Sequence, residues 1–218
     1  KLIMKNLKKA LIAGTCSALL VAGSVAGTMA WLQDTDEVVN TFTVGNVQIT
    51  LDELDVDNST DGGENDRDKA NEYNLMPGHV YTKDPIVHFQ PNSEASWLFV
   101  KVENDIVGIE SKAEGYVNIN TQMEYYGWTA LDTTNNPGVY YKNVAANKTE
   151  NVVDYPVFDY FAIDGAVTGD ELANYATQKD DEGNVVGNSI NVIAYAIQSD
   201  GIATAADAWA KLTPESQN

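Results

Sequence analysis

Residues 97–103 read Trp-Leu-Phe-Val-Lys-Val-Glu, with Leu98, Val100 and Val102 on one parity and Lys101 and Glu103 on the other. Alternation of this kind is the pattern of a half-buried strand, because successive side chains of a strand point to opposite faces. Similar short runs recur along the chain. Phe42 and Val44 share one parity, and Val47, Ile49 and Leu51 share the other, so the switch at Gly45 and Asn46 predicts a bulge or bend. Val80, Ile86, Val87 and Phe89 predict a strand interrupted near Pro85, and further strands are predicted over 116–120, 123–131, 139–143, 152–163 and 190–199. Turns are expected at Leu75-Met76-Pro77-Gly78 and Asn135-Asn136-Pro137-Gly138, while the acidic stretch 52–72 reads as a long exposed loop. Two segments look helical: 168–178, with Asp170 and Glu171 in its first turn, and 203–212, where Thr204 precedes Asp207 by three as a cap would. Many short strands with few helices predict an all-β fold, a jelly-roll-like β-sandwich with one or two short helices.

The first thirty residues differ in kind. Lys1, Lys5, Lys8 and Lys9 form a basic region, residues 10–26 are apolar and rich in Ala, Gly, Leu and Val, and Thr28-Met29-Ala30 places small residues where a signal peptidase reads them. Cleavage between Ala30 and Trp31 is the expectation, with 1–30 a helical signal peptide. The alternative is a retained membrane helix over 10–30, which is long enough to span a bilayer but lacks a basic stop-transfer flank. The protein is then expected to be secreted, without stable membrane insertion after cleavage.

Formal net charge is −19, from 32 acids against 13 Lys and Arg, which excludes nucleic acid and anionic membrane surfaces as natural partners. The single cysteine, Cys16, lies in the leader, so the processed chain has no disulfide to lean on. Two histidines, His79 and His88, fit no zinc motif, and neither a G-x-S-x-G elbow nor a phosphate-binding glycine loop is present. The chain is not expected to be an enzyme, and calcium is the one cofactor its residues suggest. Asp57, Ser59, Asp61 and Gly62, with Asp68 at position twelve, overlap a calcium-loop pattern, although a solvated acidic loop has the same composition. Trp31, Trp97, Trp128, Tyr125, Tyr126, Tyr140, Tyr141, Tyr160 and Phe161 could form a ligand or carbohydrate platform, but all except Trp31, which would start the processed chain, are expected mainly as core and cross-strand pairs.

Gly27-Thr28-Met29-Ala30-Trp31-Leu32-Gln33-Asp34 resembles the leader signature of proteins processed by a SipW-type signal peptidase, the TasA/camelysin family of biofilm-matrix and cell-surface proteins. Residues 40–47, the Leu75-Met76-Pro77-Gly78 turn with residues 81–84, and a last strand over 193–198 are similar to that family as well. The resemblance implies a structural subunit of an extracellular fibre at a bacterial cell surface. Its partner would be itself or a related subunit, paired through a donated N-terminal strand. It maps the donor onto 31–40, with Trp31, Leu32, Val38 and Val39 as the apolar members, ahead of a sandwich domain over 41–218. Asp34, Asp36 and Glu37 in the same stretch make the pairing conditional on cations or low pH. Two other readings stand beside it: a monomeric surface module that binds carbohydrate or calcium, and a camelysin-like metallopeptidase.

Overall fold

The computed structural model describes residues 33–36, 46–57, 67–177 and 189–212. They are mostly β-sheet with three short helices. Eleven strands fall into three antiparallel sheets: β1 (Gln33–Asp36), β2 (Ile49–Leu54), β3 (Arg67–Asp68), β4 (Val80–Thr82), β5 (Ile86–Phe89), β6 (Ser96–Asn104), β7 (Thr129–Asp132), β8 (Asn136–Val144), β9 (Val153–Pro156), β10 (Tyr160–Ala162) and β11 (Ile190–Gln198). The largest sheet runs β1-β11-β6-β8-β7, a second runs β3-β2-β5-β9, and β4 pairs with β10. Pro85 divides its predicted strand as expected, since proline lacks a ladder donor: β4 joins the two-stranded sheet and β5 the four-stranded one.

Alternation becomes burial in both larger sheets. Leu98 and Val100 of β6, Ala194 and Ala196 of β11, Ile49 and Leu51 of β2, and Val87 and Phe89 of β5 share one apolar cluster with Val47 and Phe158. Every residue of β11 is registered against β6, from Ile190↔Asn104 to Gln198↔Ser96. The opposite face of these two strands is buried too. Phe99 is 0% and Tyr195 1% exposed, and both pack on Trp209 of the C-terminal helix, with ring centroids 5.1 and 5.3 Å away. Strands covered on both faces lose the clean polar alternation, which is why Phe99 stands between Lys101 and Trp97 on the predicted polar parity.

Three helices are described: α1 (Ile119–Tyr125), α2 (Gly169–Thr177) and α3 (Ala205–Trp209). The predicted cap at Thr204 forms, and Thr168 caps the other predicted helix. The Glu171 N–H donates to Thr168 Oγ1 and the Thr168 N–H to Glu171 Oε2, while the Asp207 N–H donates to Thr204 Oγ1. The first helix takes the end of the predicted strand 116–120 and the start of the predicted strand 123–131, whose residues 129–131 are strand in β7. Ile119 and Met123 lie four apart and bury one helical face with Gln122. Asn118 Oδ1 accepts from the Thr121 N–H, and Glu110 Oε1, from outside the segment, accepts from the Ile119 N–H. The expected turn at 135–138 also moves. Asp132 Oδ1 accepts from the N–H groups of Thr134 and Asn135, so the chain turns at 133–135 and Asn136-Pro137-Gly138 opens β8. Within the predicted loop 52–72, Glu53 and Leu54 pair with Asp68 and Arg67, Asp52 pairs with Ile86 of β5, and Glu53 and Asp68 are buried. The bulge expected at Gly45, and the leader, lie outside the described residues.

Candidate functional site

Among the described residues, one edge of β11 is only partly covered. β1 pairs with it over Gln33↔Ile197, Asp34↔Ala196, Thr35↔Tyr195 and Asp36↔Ala194. Ile190, Asn191, Val192 and Ile193 have no β1 partner among the described residues. They line a cleft of about 760 Å³ whose other wall includes Glu53 of β2, Asp68 of β3, Asn71 and Tyr73 after it, and Lys83 after β4. A strand edge with half its N–H and C=O groups turned away from its partner is a template for a further strand. The cleft is acidic, with Asp52, Glu53, Asp68, Glu72 and Glu103 against Lys69 and Lys83. Residues 33–36 of the predicted donor therefore pair with their own chain, whereas Ala30, Trp31, Leu32, Val38 and Val39 lie outside the described residues.

Asp57 and Asp68 of the predicted calcium set do come together, joined by Asp55, with one oxygen of each within 4.8 Å of the others. Ser59 and Asp61 lie outside the described residues. The loop is built by its own backbone: the Glu72 N–H donates to Asp57 Oδ2, the Asp57 N–H to Asp55 Oδ1, and the Lys69 N–H to Asp68 Oδ1. Spacing missed Asp55 because its place depends on the β2–β3 pairing and not on a continuous twelve-residue loop. Three carboxylates this close are chemically suited to a hard cation bound by oxygen.

His88, on the outer face of the four-stranded sheet, lies between two acids from neighbouring strands. Its Nε2 is 3.0 Å from Asp52 Oδ1 and its Nδ1 2.6 Å from Asp154 Oδ1. The hydrogen bond to Asp52, joined by Asp154, raises the His88 pKa against the opposing effect of burial. Burial would raise Asp52, but His88 and Arg67 outweigh it and hold the carboxyl below its ordinary value. Arg67 donates through Nε to Asp52 and through Nη1 to Asp84 Oδ2 at 3.2 Å. A zinc ligand needs a free ring-nitrogen lone pair, and His88 has none while both acids hold it. His79 sits before β4 with Nδ1 3.1 Å from the Pro77 carbonyl, in a different sheet environment.

Most of the aromatic candidates are structural. Trp128, Tyr140 and Phe161 are buried, Trp97 Nε1 donates to the Ile202 carbonyl, and Tyr125 alone of those described is strongly exposed. No described helix is long and apolar enough to cross a membrane. Comparison with protein-family models, curated proteins and solved structures finds no match to this chain.

Proposed function

We propose that this chain is a secreted structural subunit of an extracellular matrix or surface fibre, a jelly-roll-like sandwich freed by a SipW-type peptidase between Ala30 and Trp31, which assembles by donating its N-terminal strand. The carrying observation is the β1–β11 register. Continued without a slip, it would set Leu32 opposite Gln198 and residues 37–40 opposite 193–190, so 32–40 would match the whole of the nine-residue β11. A neighbour's segment can take the same register in place of the chain's own, keeping every pair and covering the edge that the described residues leave open. Because the segment leaves one subunit and enters the next, the contact is head-to-tail and propagates without closing.

Protein starting at Trp31 should form filaments visible by electron microscopy, with light scattering that rises with concentration. Protein starting at Thr41 should not. A Trp31-start protein that stays monomeric across salt, calcium and acid pH would sink the proposal.

A second reading, a calcium-binding surface module, is favoured by the convergence of Asp55, Asp57 and Asp68. Calorimetric titration with calcium tests it: heat that disappears in Asp57→Asn supports it, and no heat at millimolar calcium removes it.

A further inference from the structure

Glu53 has the parity of Ile49 and Leu51, so the alternation of β2 carries its carboxylate to the buried side of the sheet, where it is 5% exposed. A buried carboxylate needs partners. It has two, one on each oxygen. Lys83 Nζ is 2.6 Å from Oε2, and Asn71 Nδ2 donates to Oε1 at 3.0 Å. The ion pair is well sheltered, with side-chain exposures of 10% for Lys83 and 6% for Glu53. The orientation of the Asn71 amide is fixed by its other contacts. Nδ2 also donates to the Leu54 carbonyl at 2.9 Å, and Oδ1 accepts from the Val56 N–H at 2.8 Å. Tyr73 walls the site, its ring 5.9 Å from Lys83 Nζ and packed edge-on against Tyr81 and Phe161.

A lysine amine, a carboxamide and a carboxylate that touches both are the parts of an amide-forming site. The geometry points to an intramolecular isopeptide bond between Lys83 and Asn71, formed by the chain on itself with Glu53 as the proton carrier. Glu53 takes a proton from Lys83 Nζ, which leaves a neutral amine beside a neutral acid, both side chains being largely shielded from solvent. The amine lone pair attacks Asn71 Cγ. Charge then develops on Oδ1, where the Val56 N–H already points, as an oxyanion donor should. Glu53 delivers its proton to Nδ2 on the other oxygen's side, the Cγ–Nδ2 bond breaks, and ammonia leaves through the open cleft that all three residues line. The second proton lost by Nζ goes to solvent through the same carboxylate, so Glu53 ends as it began. One C–N bond is made and one broken, nothing is oxidised or reduced, and no co-reactant is required. Holding the three groups on one scaffold supplies the effective concentration that an amine and an unactivated amide lack in water. The product would tie the segment after β3 to the one after β4 in a chain whose only cysteine is Cys16. This inference is independent of strand donation.

Intact-mass spectrometry of the denatured protein tests it, followed by chymotryptic cleavage at Tyr73, Leu75 and Tyr81, which lie between the two residues. The expected result is a mass lower by one ammonia than the sequence requires, with the Asn71 and Lys83 peptides travelling as one species. Glu53→Gln, Lys83→Arg and Asn71→Ala should each keep the full mass. A wild-type mass equal to the sequence overturns the inference, whether or not the variants fold. So does an ammonia loss in which the two peptides separate, because that marks a cyclic imide at Asn71. An unchanged ammonia loss in Glu53→Gln overturns the role given to Glu53.

Discussion

Replacing Trp209 by Ala should cost a large share of the stability of the fold. The side chain is 6% exposed, its ring lies 5.1 Å from Phe99 and 5.3 Å from Tyr195, and it closes the face of β6 and β11 that the main core does not cover. Truncating a buried Trp to Ala removes its transfer free energy and leaves a cavity, about 3–5 kcal/mol in total. Against a domain stability of roughly 5–15 kcal/mol, that is enough to bring unfolding within reach at moderate temperature. The Trp209 Nε1–H bond to Asn136 Oδ1, at 3.0 Å, contributes less, because half-exposed Asn136 can turn to water. Trp209→Phe keeps a ring on the two aromatics and loses that bond, so its cost from hydrogen bonding is about 1 kcal/mol. Urea unfolding followed by circular dichroism gives both values, with the slope unchanged if the denatured state is unaffected. Hydrogen exchange at Tyr195 and Ala196 should rise in Trp209→Ala, because those residues carry the β1 pairing as well. A loss in Trp209→Ala below about 1 kcal/mol, at unchanged slope, would mean that the helix rests on the sheet without holding it.

Gly138 has φ +76, and a Cβ there would meet the Val102 carbonyl oxygen at 2.3 Å, whereas Gly115, with φ +96, has nothing within 4 Å. Gly138→Ala should therefore lower the melting temperature well beyond Gly115→Ala, which bears only the left-handed backbone cost of about 1–2 kcal/mol; equal losses would refute the close approach. Gln122 is 5% exposed and serves four backbone groups, donating to the carbonyls of Val117 and Tyr160 and accepting from the N–H groups of Asp159 and Tyr160. Gln122→Leu should cost at least the roughly 1–3 kcal/mol of one orphaned buried group, read by the same denaturation assay. His88 has a raised pKa, so its stabilisation is complete below its ordinary value of 6.5 and is lost as pH rises through the folded value. Asp52 is lowered, so its share is present above 3.8 and is lost as pH falls through its folded value. The stability gap between wild type and His88→Gln should be widest between those two values and shrink as pH rises above 6.5; a gap that grows with pH would contradict the ion pairing.

The strands of the two larger sheets were readable because their apolar period is local: Leu98, Val100, Ile49 and Leu51 announce their face within a few residues. The cap at Thr204 was readable for the same reason, as were the acids in the first turn of the second helix. The first helix was not. Its apolar signal is only Ile119 and Met123, and one of its acceptors is Glu110, which the helical segment does not contain. The partners of buried charges were equally hidden. The parity of Ile49 and Leu51 turns Glu53 inward, but nothing near it in sequence names Lys83 and Asn71, which reach it only across the fold. For the calcium candidates, spacing found Asp57 and Asp68, and chain pairing supplied Asp55. The cover of β11 was the least legible feature, since it joins residues 33–36 to residues 194–197, near opposite ends of the chain.

Charge gives the donated-strand reading its sharpest test. The continued register would carry Glu37 toward Ile193, beside a cleft with five carboxylates and two lysines, one of which is committed to Glu53. Like charges at that range are felt at low salt and are screened once the Debye length falls to about 10 Å, near 0.1 M. Assembly should therefore need salt, and Glu37→Gln should need less of it, because the change removes a repulsion without altering any backbone pair. Light scattering at fixed protein concentration across a salt series would show the variant's midpoint displaced to lower ionic strength. If the two midpoints coincide, residue 37 does not enter the cleft when subunits join, and the donated strand would have to end at Asp36, where the described pairing stops.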